Sequence, residues 1–342
     1  MKKVSDIGER GLIKIISKIL GGLGNEELSG EDDAVAIRLT DPSLLVINND
    51  MLVSTTDIPT QMTLIQAGRK AVIMTVSDVL VKGAIPKWAV VSLGIPENLP
   101  LEDDGGFKGI ISGLKQGFEE HDVQYLGGDL NETKEIIISC TIFGEAPYGV
   151  IPRSGAKPND LIITTGKLGA TGCGFSILMK NIDPPKISPE HKKQFIHSVL
   201  NPSTPVQYAI DLKRNNWVNA SCDSSDGILA TIKEICSASN TGAKLQWNQF
   251  PLENGFNEYI RATELDPLDL VFNAGEEFLH LYVIPANKFK EIKAHFLKKR
   301  MDFHELGYIT SNPMEIILEK NGTRVNLSKL TGYEHLKKKQ KE

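Results

Sequence analysis

The chain has 342 residues, with 38 Lys plus Arg against 43 Asp plus Glu and a formal net charge of −5. That length predicts about two domains, and 41% hydrophobic with 24% charged residues excludes a disordered or fibrous chain. A pI near 5.9 excludes nucleic-acid binding driven by net basic charge, but not an anionic substrate held by local cations.

Residues 1–20 begin with two lysines, but charges interrupt the apolar part. Ile7, Leu12, Ile15, Ile16 and Ile19 instead fit one face of a helix capped by Ser5 or Asp6. No apolar run reaches the ~18 residues of a membrane span, so a cytoplasmic protein is expected. Residues 34–39 and 44–53 read as strands, 61–82 as a helix ending at Gly83, 88–95 as a buried strand, 102–121 as an amphipathic helix and 135–143 as a strand. The stretch 144–160 is dense in Gly and Pro and marks a boundary near 145–155. Beyond it LIITTG reads as a strand, 170–181 as a helix, 189–214 as one or two helices broken near Pro202 and Pro205, and VNASCDSSDG as a strand running into a turn. Helix 227–239, the strand LHLYVIP, a basic helix over 286–300 and short strands within 303–330 complete the chain. The expected class is α/β of the α+β type, in two mixed α/β domains, 1–148 and 149–342. Cys140, Cys173, Cys222 and Cys236 are scattered without a CxxC pair. They read as reduced thiols rather than a disulfide frame or a zinc site.

The aspartates carry the functional signal. Asp32 and Asp33 precede a strand, Asp50 interrupts the apolar run LLVINNDMLV, and Asp78 sits inside the apolar helix AVIMTVSDVLVKGA. Asp129 follows Gly127-Gly128, and Asp223 and Asp226 lie in CDSSDG between a strand and a helix. Singly, each is explained as a turn residue, an N-cap or a solvated helix position. Together they ask for more, because Asp50 and Asp78 lie in apolar segments where an isolated charge is costly. The segments also share no regularly spaced Lys or Arg. Carboxylates at strand ends suit Mg²⁺, which takes a few carboxylates plus substrate phosphates. The chain lacks GxxxxGKS/T and the linked HRD and DFG motifs, so a nucleotide enzyme of this sequence would use a carboxylate–magnesium cage rather than a Walker or protein-kinase site.

The ordered series EDDAVAI (31–37), NNDMLVSTTDIP (48–59), RKAVIMTVSDVLVKGAIPKW (69–88), LGGDLN (126–131), RSGAKPNDLIITTG (153–166), DSSDG (223–227), AGEEF (274–278) and GYEHL (332–336) resembles the thiamine-monophosphate kinase family, in its archaeal form. That family belongs to the aminoimidazole-ribonucleotide-synthetase-like superfamily. The resemblance covers almost the whole chain and implies a homodimer whose N-terminal domains pair in a barrel-like core, with ATP and several Mg²⁺ ions in a cleft between domains. It implies direct transfer of the ATP γ-phosphoryl group to thiamine monophosphate, giving thiamine diphosphate. By the same resemblance Asp33, Asp50, Asp78, Asp129, Asp223 and Asp226 match metal ligands, with Asp32 beside them. Gly128, Asp129, Arg153 and Ser225 match nucleotide contacts, with Asp129, Arg153 and Asp226 at the reacting phosphates. Asp57, Glu276 and Tyr333 match positions near the thiamine phosphate.

Both reactants are polyanions, so positioning and charge neutralisation carry most of such a reaction, and the always-charged Arg153 suits a phosphate clamp. The sequence departs from the family pattern at Glu31, where Gly is usual, at Lys82 in place of Met, at Asp57-Ile58, where some members carry His-Phe, and in AGEEFLHL in place of GGEDYEL. These changes touch the acceptor pocket more than the cage. A superfamily kinase or ATP-dependent synthetase acting on another acceptor is therefore the second reading, and a non-catalytic nucleotide-binding homologue the third. ADP release with different acceptors separates them.

Overall fold

The computed structural model describes residues 4–6, 8–20, 26–28, 32–38, 43–102, 104–327, 330 and 332. Residues 26–146 supply β1 (Glu26–Leu28), β2 (Val35–Arg38), β3 (Leu44–Val53), β4 (Ile85–Ile95), β5 (Gln124–Glu132) and β6 (Ile137–Ala146). They form one sheet in the order β1-β2-β3-β6-β4-β5, antiparallel except for the parallel pair β4–β5. The helices of this part are α1 (Glu9–Leu20), α2 (Ser54–Asp57), α3 (Leu64–Val81) and α4 (Phe107–Glu120).

Helix α3 is the centre of the arrangement. Thr63 caps its first turn and Gln66 answers in a reciprocal capping box. Most of its length is buried, Ala71, Val72, Val76 and Val79 lying in the apolar core with β3 and β6 strand residues. A helix apolar nearly all round is buried on several sides. Here α4 lies close enough that a Cβ on Gly113 would come 1.9 Å from the Ile65 carbonyl oxygen, so the crossing requires glycine.

The second half carries β7 (Leu161–Thr164), α5 (Ala170–Lys180), α6 (Pro189–Leu200), α7 (Tyr208–Arg214), β8 (Ala220–Asp223), α8 (Ile228–Ser239), β9 (Gly242–Gln246), α9 (Phe256–Thr263) and α10 (Pro267–Phe272). It continues through β10 (His280–Ile284), α11 (Phe289–Lys298), β11 (His304–Thr310), β12 (Ile316–Lys320) and β13 (Thr323–Val325). Its seven strands run β13-β12-β9-β11-β7-β10-β8, antiparallel except for β9–β12. The fold is thus mixed α/β with two sheets. Strand β8, at one edge of the second sheet, packs against the C-terminal part of α3, where the Ser221 hydroxyl donates to the Val81 carbonyl oxygen at 2.9 Å.

Candidate active site

The end of α3 and the end of β8 bring the acidic residues together. Asp78 projects from α3, Asp50 from β3 and Asp223 from the last position of β8. The Asn48 side-chain amide donates to Asp50 Oδ2 at 2.9 Å and to Asp78 Oδ2 at 2.6 Å, so one amide brackets both carboxylates. Ser77 Oγ donates to Asp223 Oδ2 at 3.1 Å. None of the three acids forms an ion pair among the described residues. Burial pushes the Asp50 carboxyl up to about 6. Burial, reinforced by their acidic neighbours, also holds Asp78 and Asp223 well above the ordinary carboxylate range. One buried and two half-buried carboxylates that repel one another fit a divalent cation that takes oxygen ligands.

Asp33 has a different environment. Burial raises its pKa, but Arg153 and Lys82 outweigh that and bring it down to about 2. Arg153 Nε donates to Asp33 Oδ1 at 2.8 Å, and the Arg153 backbone N–H donates to Asp32 Oδ2 at 2.8 Å. Nη2 of the same guanidinium, which also meets Asp33, lies 3.3 Å from Glu234. Arg153 is therefore engaged by protein carboxylates rather than facing open solvent. Lys82, at the C-cap of α3 and wholly buried, joins Asp32 and Asp33. The sequence contained these balancing cations, but not at any regular spacing from the acids they balance.

Backbone bonds lay the AGEEF loop along the CDSSDG turn. The Glu276 N–H donates to the Ser225 carbonyl oxygen at 2.7 Å, Phe278 to Ser224 at 3.1 Å, and Ser224 to Leu279 at 2.8 Å. Glu276 and Phe278 adopt φ of 60° and 48°, unusual for residues with side chains. Ser225 is exposed and Asp226 half-buried on this turn. One oxygen of Glu276 accepts from Lys70 Nζ at 2.6 Å, and the other, buried, has no hydrogen-bond partner among the described residues. Lys70 is 1% exposed and also donates to the Asp57 carbonyl oxygen at 2.8 Å, so it ties Asp57 to Glu276. The Asp57 carboxylate accepts from the Val53 N–H at 2.7 Å. Sequence reasoning missed Lys70, whose only signal is a lysine in the apolar run of α3. Tyr333 lies outside the described residues.

Asp129 is not gathered with these groups in one chain. Two strands stand between β3 and β5, three strand spacings or roughly 14 Å. Asp129 registers with Ser92 and through it with Ser139 and Met51, whereas Asp50 registers with Cys140 and through it with Val91. Gly128 and Asp129, with Val91, Phe118 and Tyr125, line a cavity of about 680 Å³ between α4 and β5. A Cβ on Gly128 would lie 1.7 Å from the Val91 carbonyl oxygen, which explains the glycine before Asp129.

Comparison with known proteins narrows the meaning of this arrangement. Residues 31–146 match the AIR synthase related protein N-terminal domain and residues 157–319 its C-terminal domain. A thiamine-monophosphate kinase of Pyrococcus horikoshii is 33% identical over 307 residues, covering 90% of each chain. One from Nitrosopumilus maritimus is 30% identical over 334 residues, 98% of this chain and all of that protein. The chain belongs to the thiamine-monophosphate kinase family. Among solved structures, that of thiamine monophosphate kinase from Aquifex aeolicus superposes with a TM-score of 0.78 at 24% identity, covering 95% of this chain and 99% of its own. AaThiL complexed with AMPPCP and TMP gives 0.80 at 24%, covering 98% and 99%. No helix among the described residues is long and apolar enough to cross a membrane.

Proposed function

We propose that this chain transfers the γ-phosphoryl group of ATP to the phosphate of thiamine monophosphate, giving thiamine diphosphate by direct in-line transfer. The observation that carries the reading is the trio Asp50, Asp78 and Asp223, carboxylates that form no ion pair among the described residues of a chain of this family. We assign several Mg²⁺ ions to these residues, to Asp226 on the adjoining turn and to Asp129 on β5. When bound, they supply the charge neutralisation that lets two phosphate-bearing reactants approach.

The chain's own groups do the rest. Gly128, Asp129, Arg153 and Ser225 are assigned to the nucleotide, with Asp129, Arg153 and Asp226 nearest the reacting phosphates. Asp57, Glu276 and Tyr333 are assigned to thiamine monophosphate. The buried oxygen of Glu276 that lacks a hydrogen-bond partner among the described residues supports this, as an acceptor still to be satisfied. An attacking phosphate is already ionised near neutral pH, so no strong base is required of the chain.

Residues 1–148 are read as the nucleotide-binding and dimerisation unit and residues 149–342 as the unit that completes the cleft, in a cytoplasmic homodimer. Exposed Met51, Tyr125, Leu126 and Leu130 on the first sheet, with β5 as its open edge, support a second copy pairing there.

The test is ADP release from ATP and thiamine monophosphate at saturating Mg²⁺. Asp78→Asn and Asp226→Asn are expected to abolish turnover while the protein melts no earlier, since each change removes a charge from an acidic cluster. Wild-type turnover in either variant would sink the cation assignment. Turnover with a different acceptor alone would make this a related kinase or synthetase, and none with any acceptor a nucleotide-binding homologue.

A further inference from the structure

We propose that Lys82 is a resident cation, its ammonium filling the place between Asp32 and Asp33 that would otherwise draw a divalent ion, so that Asp33 is not a metal ligand in this chain. The inference rests on the reading that exchangeable cations occupy the neighbouring Asp50, Asp78 and Asp223.

The ammonium sits in a shell made only of oxygens. Nζ lies 2.6 Å from Asp32 Oδ1, 2.5 Å from Asp33 Oδ2 and 2.8 Å from the Ser221 carbonyl oxygen. A lysine has three donors; here one donates to the Ser221 carbonyl oxygen, and the two carboxylate oxygens lie at ion-pair distance. Two carboxylates and a backbone carbonyl are also the ligand types a hard divalent ion selects. Lys82 stands at the C-terminal end of α3, where the helix dipole favours positive charge. The other flank is closed by Arg153, which bonds Asp33 Oδ1 through Nε and Asp32 Oδ2 through its backbone N–H. Asp32 and Asp33 thus meet two positive charges, of which Arg153 is shared with Glu234.

Asp33, Cys222 and Asp223 do offer donor atoms within 4.8 Å of one another. The Cys222 thiol, however, points at Asp33 Oδ1 from 3.2 Å, and any dication placed there would face Lys82 and Arg153 together. Among the described residues Asp50, Asp78 and Asp223 form no ion pair, and Arg153 acts on Asp78 and Asp223 only from a distance. The floor of the site therefore carries a fixed charge, and the exchangeable ions belong above it. Sequence reasoning met Lys82 only as a departure from the family's usual Met.

The experiment counts bound Mn²⁺ by the loss of its free electron-paramagnetic-resonance signal, on the full chain with and without a non-hydrolysable ATP analogue. Lys82→Met is expected to bind one more Mn²⁺ per chain than the wild type. Asp33→Asn is expected to remove that extra ion from the Lys82→Met protein and to leave the wild-type count unchanged. A lysine serving only to hold the fold would leave both counts equal, which would overturn the proposal. Loss of an ion from wild type on Asp33→Asn would overturn it too, and decides the matter if Lys82→Met does not fold. A wild-type protein that shows these counts yet releases no ADP with thiamine monophosphate would refute the kinase reading alone.

Discussion

Lys70 shows how much a single buried side chain organises. Its ammonium joins the Asp57 carbonyl oxygen to one oxygen of Glu276, two segments far apart in the chain. Replacing it by Met leaves Glu276 without its counter-charge and frees the loop to turn. Lys70→Met is expected to raise the KM for thiamine monophosphate about tenfold, roughly 1.4 kcal/mol, while the KM for ATP stays within about twofold. Steady-state kinetics with each substrate varied in turn would check it, and an equal rise in both would show general loosening. Glu277, the next residue, makes a second prediction. Burial pushes its carboxyl up to about 8, although it accepts from the Gly169 N–H at 2.7 Å. The native protein holds this proton after the unfolded chain has released it. The associated stability is complete below the ordinary carboxylate pKa of 4.5 and is lost as pH rises toward 8. Melting curves from pH 5 to 8 should therefore fall more steeply for wild type than for Glu277→Gln. Parallel curves would mean that Glu277 is ionised in the fold.

At the scale of elements, the fixed spacing of α3 and α4 governs where Asp78 stands. Gly113→Ala would drive a methyl group into the Ile65 carbonyl, so the helices must part. Overpacking of this kind costs about 1–3 kcal/mol, and the expected result is a melting temperature lower by several degrees together with weaker Mg²⁺ binding. Unchanged melting would show that the crossing can adapt. The elements differ in how plainly the sequence announces them. The run LLVINNDMLV is bounded and apolar and becomes β3 with the expected limits. The helix read over 61–82 is α3, shortened at its start by the Thr63 cap. QYLGGDLNE has two glycines and no alternation, and its strand exists because β4 lies beside it in parallel. Helices α9 and α10 and strand β9 were not foreseen, being short segments whose periodicity covers barely two turns or a few residues. The acids at 50, 78 and 223 stood out because each interrupts or ends an apolar run. Their cationic neighbours did not, because pairing Asp33 with Lys82 and Arg153 is a product of the fold, which no local pattern records.

For the whole molecule, light scattering at micromolar concentration is expected to give twice the 37.6 kDa of one chain. A monomer would leave β5 and the exposed Tyr125, Leu126 and Leu130 without the cover assigned to them. The position of α3 has a further consequence, one of timing. Its first set of neighbours, β3 and β6, has been made once Ala146 leaves the ribosome. The partners of its last turn, the Ser221 carbonyl oxygen at Lys82 and Asp223 at Ser77, come later, on β8. A growing chain can therefore assemble its first sheet around α3 while Lys82 and Ser77 still wait for β8. The acidic centre is closed after the frame that holds it, so a half-synthesised chain has Asp50 and Asp78 in place while Asp223 is still to come.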